Sequence, residues 1–551
     1  MPSLADLPVE IVEFILSYLE QSALYALSRT SKGLYNLTTP FLYNHVDLLI
    51  PPGGYIPRID RLLITVLDQP HLGELVKTLR VGISPKEGTV AGQYFLPGDS
   101  ESRQIVHDKI QSHIQNEPLV SYGEDFHEAL IYGEYGAYAA LLLLVLPSLK
   151  RLDISDHQNE TLRLQNLVER VRSGVDDSPL VERIRSIQEF SYNCDTKSGH
   201  RHRGKVEAFK VWLMWKMQGV RTLEFSIPCD AGRILLSRVT RIRTPTPRLD
   251  PISITKLVIR YSGPVLSHLQ ELLPTTPHLR SLVCELWHDA SMYNDGLRES
   301  WLQLDLWNAC LTNVRETLET LVLSVEFCDS EQPFFKQPTE LHMSSSLDLR
   351  AFDKLSTLEV PIPFISGDAG FSIMTPLEPR LPMSLRHLSL RTDMSHAQFP
   401  FPFDTSILSA TPSHQDAQDE ANRLLCARMD VSYTASASLD LVDQISQLKS
   451  ISIWQPPDTS LEWFERQFED LATTCKNNGV IAKAVYPMSM RWGSAAHWNL
   501  VNEVTLVDPA YPESGRIGRL LRGEREGVPL GLASQYHLDR FERRHVRRPR
   551  R

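Results

Sequence analysis

Leu385-Arg386-His387-Leu388-Ser389-Leu390 is the stretch whose reading decides the architecture. It runs apolar-x-x-apolar-x-apolar, and its right-hand end alternates as a short strand with one buried face does. The same pattern returns at Val76-Leu79-Val81, Leu149-Leu152-Ile154, Ile187-Phe190-Tyr192, Val220-Leu223-Phe225 and Ile254-Leu257-Ile259. It continues at Leu279-Leu282-Cys284, Leu318-Leu321-Leu323, Leu355-Leu358-Val360 and Leu448-Ile451-Ile453. From Leu152 to Leu388 the middle apolar residues lie 25 to 39 residues apart. A unit repeating at that interval buries its face against its neighbours, so the core can grow in one dimension. In several units a cation follows the first apolar residue: Lys77, Lys150, Arg221, Arg280, Arg386 and Lys449.

Working outward, helical stretches lie between the strands. Residues 264–274 carry Leu266, Leu269, Leu272 and Leu273 at helical spacing, and residues 299–310 carry Trp301, Leu302, Leu304, Leu306 and Trp307. Strand followed by helix, stacked laterally, predicts an α/β chain: an irregular leucine-rich-repeat solenoid with a curved parallel sheet and outer helices over residues 48–485. The third residue after the last apolar one is never Asn or Cys, so the repeats are expected to be irregular. Insertions are expected near 84–146 and 392–440. The first should end in an apolar helix, and the second should be a loop with one short helix over 415–429. A helix over 461–477, with Trp463, Phe464, Phe468 and Leu471, should cap the array. Residues 486–551 read as a C-terminal extension whose last twelve residues are rich in Arg.

Composition narrows the function. The chain has 551 residues, 42% apolar and 23% charged, with a net charge of -10. That is a folded, soluble composition, and its balance speaks against a nucleic-acid surface along the whole chain. Cys194, Cys229, Cys284, Cys310, Cys328, Cys426 and Cys475 never form a C-x-x-C pair. They read as reduced thiols in the cytoplasm or nucleus rather than as disulfides or a zinc site. No basic leader opens the sequence, and the longest apolar run, residues 137–146, is too short to span a bilayer. No phosphate-binding glycine loop, G-x-S-x-G elbow or H-E-x-x-H pair is present. Cys194, His200 and His202 lie close together but lack a fourth ligand. The reading is a non-enzyme with no cofactor, no metal, no membrane and no nucleic acid.

Residues 4–47 hold three short helical patterns. Pro8 suits a first helical turn, with Asp6 as a candidate cap. Ile11, Ile15, Leu16 and Leu19 form a stripe. Ser22 can cap a second helix carrying Leu24 and Leu27, and Ser31 a third, which should stop near Pro40. So few residues bury little surface unaided, so some of these leucines are expected to meet either a partner or the repeats they cap.

Leu7-Pro8-Val9-Glu10-Ile11, Ile15-Leu16-Ser17-Tyr18-Leu19 and Leu24-x-x-Leu27-Ser28 resemble an F-box, here residues 1–47. The third helix carries Leu34 where many F-boxes have Trp. The resemblance implies docking on a Skp-family adaptor through Leu7, Pro8, Ile11, Ile15, Leu16, Leu19, Leu24 and Leu27. Through that adaptor it implies a cullin, in an SCF-type ubiquitin ligase. The chain would be the substrate-recognition subunit, or else a scaffold that holds the adaptor without ubiquitin transfer. A protein target is expected on the strand positions between the buried leucines, with Glu224, Lys256, Arg260, Glu285, Glu359, Arg391 and Trp454 as candidates.

Overall fold

A computed structural model describes residues 7–51, 54–83, 94–97, 124–156, 186–194, 219–226, 253–262, 266–289, 303–328, 345–371, 380–397, 414–456, 465–487 and 501–511, with a few single residues between them. The chain divides into two compact units, Met1–Arg241 with Ser494–Ala496, and Ile242–Gly493 with His497–Arg551.

The first unit opens with α1 (Val9–Ser17), α2 (Gln21–Ser28) and α3 (Lys32–Asn44), and the chain passes directly into β1 (His45–Asp47). Next come α4 (Ile59–Asp68), α5 (Pro70–Leu75), β2 (Thr78–Gly82), α6 (Glu124–Ile131), α7 (Tyr135–Val145), β3 (Arg151–Asp156), β4 (Glu189–Cys194) and β5 (Thr222–Ser226). β1 to β5 are parallel neighbours in sequence order. The middle apolar residues stand in register, Leu79 opposite Leu152, Phe190 and Leu223 in turn. The three motif positions form three buried columns: Val76, Leu149, Ile187 and Val220; Leu79, Leu152, Phe190 and Leu223; Val81, Ile154, Tyr192 and Phe225. Full burial of such a side chain is worth about 1.5–3 kcal/mol. A slip of one residue would turn a whole column outward, so the columns fix the register.

α7 is apolar all round, and every residue from Tyr135 to Leu144 is buried, as a helix without a polar face requires. It packs on α4, whose Ile59, Leu63 and Val66 are buried. The Tyr135 hydroxyl ties it to the sheet, donating to the Leu48 carbonyl at 2.8 Å and accepting from the Gly82 amide at 3.0 Å. Gly82 has φ +108, and a Cβ there would lie 1.8 Å from the Ser155 carbonyl oxygen. Only glycine permits the close approach of β2 and β3 at that point.

The second unit repeats the plan with β6 (Lys256–Ser262), α8 (Leu266–Leu272), β7 (Ser281–Asp289), α9 (Leu304–Leu311), β8 (Thr320–Cys328), β9 (Thr357–Pro361), α10 (Ile362–Ser366), β10 (His387–Arg391), α11 (His414–Gln444), β11 (Ser450–Trp454), α12 (Glu465–Asn477), β12 (Ile481–Pro487) and β13 (Val501–Val507). β6 to β12 are parallel, with Leu257, Leu282, Leu321, Leu358, Leu388, Ile451 and Ala482 in one register. β13 pairs antiparallel with β12. Strand entries are tied by carbonyls that each accept from two successive amides of the next strand; Arg386, for example, accepts from Lys449 and Ser450.

Each quoted motif is therefore a strand of a mostly parallel sheet with helices between, and several expectations change. The boundary after residue 485 falls inside β12, and β13 lies in the expected extension. α12 is the crossover between β11 and β12 rather than a terminal cap. The loop expected over 392–440 is largely α11. Its buried face is built from Ala427, Asp430, Val431, Thr434, Ser438 and Leu441. Thr434 and Ser438 hydroxyls donate to the carbonyls four residues earlier, at 2.9 and 2.6 Å, so these polar residues are buried without loss. A stripe of small and hydroxyl residues carries little hydropathy signal. α3 does not stop at Pro40 but runs to Asn44, because Leu37 before the proline and Phe41 and Leu42 after it pack on one core. That burial outweighs the roughly 3 kcal/mol that a helix-interior proline costs. His200 and His202, residues 398–413 of the second insertion, most of 84–117 of the first and the arginine-rich tail lie outside the described residues. Among the described residues, no helix is long and apolar enough to cross a membrane.

Candidate adaptor-docking surface

α1 carries two apolar faces. The inner one, Val12 and Leu16, joins Leu24 of α2 in a buried cluster. Leu19, Leu27, Leu37, Phe41 and Leu42 pack around it half-buried. The outer one holds Ile11 at 48% exposure, Phe14 at 62% and Tyr18 at 74%. Leu7, Pro8 and Val9 extend it toward the N-terminus and are also exposed, while Ile15 is half-buried at its margin. Ile11, Phe14 and Tyr18 follow i, i+3, i+7, which places them along one side of the helix. The Phe14 and Tyr18 rings meet edge-to-face with centroids 5.0 Å apart. Tyr25 of α2 is exposed as well, with the Arg29 guanidinium 5.7 Å from its ring centre.

The local chemistry holds this surface in place. Pro8 stands at the N-cap position rather than in the first turn, and its carbonyl accepts from the Ile11 and Val12 amides at 3.0 and 3.1 Å. Asp6 lies outside the described residues. Ser22 falls inside α2, which starts after Glu20 without a side-chain cap. Ser31 caps α3 as expected, its hydroxyl accepting from the Leu34 amide at 3.2 Å. The Gln21 amide donates to the Leu42 and His45 carbonyls at 3.2 and 3.0 Å, closing the C-terminal end of α3 against the start of α2.

The candidate adaptor contacts thus divide. Leu7, Pro8 and Ile11 are presented to solvent, and Ile15, Leu19 and Leu27 are half-buried. Leu16 and Leu24 are core, which removes them from any docking face. Phe14, Tyr18, Val9 and Tyr25 are the exposed neighbours that stripe counting passed over. The available signal was a second apolar stripe on a helix too short to bury both.

The candidate target contacts are rearranged more strongly. Arg391 is 3% exposed, Glu285 4% and Trp454 9%, so these are interior groups. Strict alternation fails at the last residue of these strands, where β9, β10 and β11 each end in two buried positions. Arg391 bridges Glu359 and Asp393, the latter at 2.6 Å, and lies 3.9 Å over the Trp454 ring. Burial alone would weaken its charge, but the two carboxylates outweigh that and hold its pKa above the ordinary guanidinium value. Trp454 donates to the Ser389 hydroxyl at 3.0 Å, and Asp393 accepts from the Val325 amide at 2.9 Å. Arg260 and Glu285 form a pair at 2.7 Å. Of the candidates, Lys256 is exposed, and Glu224, Arg260 and Glu359 are partly so.

In the first unit, Arg80 pairs with Asp47 at 2.7 Å, and Arg151 joins Asp153 at 3.0 Å to Glu189 at 3.2 Å. Burial raises the Asp153 carboxyl, against the lowering effect of Arg151 and Arg80. The buried Cys310 and Cys475 thiols are each pushed up to about 12 by burial, and Cys284 is raised well above its ordinary value. Such thiols are poor nucleophiles at neutral pH.

The F-box-like family model matches residues 4–49. No curated protein matches the chain. The matched segment is α1 to β1, the part of the molecule that carries the exposed apolar face. An F-box-like domain suggests an adaptor-binding role of the SCF type; such domains typically bind Skp-type adaptors, and proteins that carry them are generally non-catalytic subunits.

Proposed function

We propose that this chain is the substrate-recognition subunit of an SCF-type ubiquitin ligase. Its N-terminal helices dock on a Skp-family adaptor and, through it, reach a cullin. The strands behind them form an irregular leucine-rich-repeat solenoid that holds a protein target. The single observation that carries the reading is the exposed apolar face of α1, Ile11, Phe14 and Tyr18, inside the F-box-like segment. Large apolar side chains left in water on so small a helical unit are what a partner surface requires. The chain performs no chemistry in this reading; it acts by raising the local concentration of target beside the ubiquitin-loaded enzyme. The registered columns of buried leucines support the solenoid. Lys256, Glu224, Glu359 and the rim of the Arg260–Glu285 pair are the target-facing groups that remain accessible.

The test is binding of the full chain to purified Skp adaptor and cullin, beside two variants. Ile11→Ala/Phe14→Ala/Tyr18→Ala should lose about a hundredfold or more in adaptor affinity, as removal of several interface anchors does, with its melting temperature unchanged. Leu16→Ala should instead destabilise the helical unit by about 2–5 kcal/mol. Equal adaptor affinity in the triple variant and the parent sinks the docking face. Retention of the adaptor without cullin favours the scaffold reading, in which ubiquitin transfer plays no part.

A further inference from the structure

Within the first unit, the docking helices and the strands meet at one junction. α3 passes into β1 without a linker residue, Asn44 closing the helix and His45 opening the strand. Carbonyls of this junction are held from two sides. That of Asn44 accepts from the Lys77 amide at the entry of β2, at 3.0 Å. Those of Leu42 and His45 both accept from the side-chain amide of Gln21, the first residue of α2, at 3.2 and 3.0 Å. Leu42 lies in the last turn of α3, where helix carbonyls lack a partner within the helix. β1 is the edge strand of the sheet, and the outer carbonyls of an edge strand have no strand to pair with. Gln21 therefore joins the end of the helix to the start of the strand through one amide. Packing ties the same two sides: Leu37, Phe41 and Leu42 of α3 pack on the helical core, and α3 also packs on α5, which leads into β2. A hinge needs residues at an element's end that are free to change φ and ψ, and these bonds hold the residues where one would lie.

We infer that Gln21 is a positioning residue that sets the angle between the docking helices and the strands, so that an adaptor on α1 and a target on the sheet keep one geometry. Its purpose rests on the adaptor reading; its geometry does not. Effective concentration depends on the stiffness of whatever joins two binding sites, and a fixed joint brings the same part of a target toward the loaded enzyme at each encounter. Gln21 is exposed and lies outside both the apolar face of α1 and the buried cluster of Val12, Leu16 and Leu24, so its loss leaves each of these in place.

Dipolar electron-spin resonance on the full chain tests it. Spin-labelled non-natural amino acids replace Glu13 on α1 and Lys150 at the entry of β3, both exposed, which spares the native cysteines. The parent should give one narrow distance distribution. Gln21→Met keeps the length and loses the donors, and should broaden that distribution with the melting temperature and the affinity for purified Skp adaptor unchanged. Gln21→Arg restores donors that can reach two carbonyls and should narrow it again. A broad distribution in the parent, or the same narrow one in Gln21→Met, overturns the inference. So does broadening that comes with a lower melting temperature and is not rescued by Gln21→Arg, which would make Gln21 a stabiliser of the helices only. A loss of adaptor affinity in Gln21→Met overturns it as well, by placing the residue in the docking surface. Failure of the parent to bind the adaptor sinks the adaptor reading, whereas the distances, measured without adaptor, still decide the joint.

Discussion

Asp60, in the first turn of α4, is buried beneath Arg58, whose guanidinium donates to its two oxygens at 3.0 and 2.7 Å. Burial would lift this carboxyl, but the Arg58 hydrogen bond, the Arg61 amide and the Arg58 charge together hold it below its ordinary value of 3.8. A carboxyl depressed by folding contributes stability that is present above pH 3.8 and lost as pH falls through the lower, folded value. With Arg58→Ala, burial prevails and that contribution disappears. Because Arg58 is partly exposed, the loss at about pH 7 should be modest, about 1 kcal/mol. Urea unfolding of parent and variant from about pH 7 to pH 3 should show the gap closing below about pH 4. A gap of constant size across that range would show that the pair does not set the carboxyl's titration. At this same scale, residue type was a poor guide to exposure: Arg391 is a charged residue in the interior, and Phe14 is an aromatic one in water.

Among the elements, α7 shows how a helix with no polar face is positioned. Its apolar surface gives burial but no direction, and the Tyr135 hydroxyl between Leu48 and Gly82 supplies one. Tyr135→Phe keeps the ring and strips that hydroxyl from both backbone partners, which should cost about 1–3 kcal/mol. A urea midpoint equal to the parent's would mean that water takes the hydroxyl's place. The apolar run was legible in the sequence as a buried helix, because only burial accommodates it. α11 was legible only in its first half, as the short helix over 415–429; the rest was not, because Thr434 and Ser438 satisfy their hydroxyls within the helix and so hide a buried face behind polar letters. α1 lies between these cases. Its apolar residues were plain, but not which face turned inward, since that choice belongs to Leu24, Leu37 and Phe41 on the neighbouring helices.

For the molecule as a whole, the parallel strands of the second unit end on a reversal. β13 runs antiparallel and covers the backbone of β12, with Ala484 opposite Val504. An uncovered strand offers a row of unpaired amides and carbonyls to other chains. Val504→Pro removes a donor and disfavours the strand, so the variant should self-associate more than the parent in light scattering after size exclusion. Identical scattering would show that β12 needs no such cover.

The sequence by itself determined β2 to β11 and their order, together with the N-terminal helices, but not β1, β12 or β13. Each strand motif is local, and neighbouring copies align only when their apolar columns coincide, so the pattern carries its own pairing rule. Only the tertiary structure decided which side of α1 meets water, that Arg391 and Trp454 turn inward onto one another, and that Gln21 reaches both the end of α3 and the start of β1. Each of those outcomes depends on contacts between segments far apart in the chain, and hydropathy counted along a single segment holds no record of them.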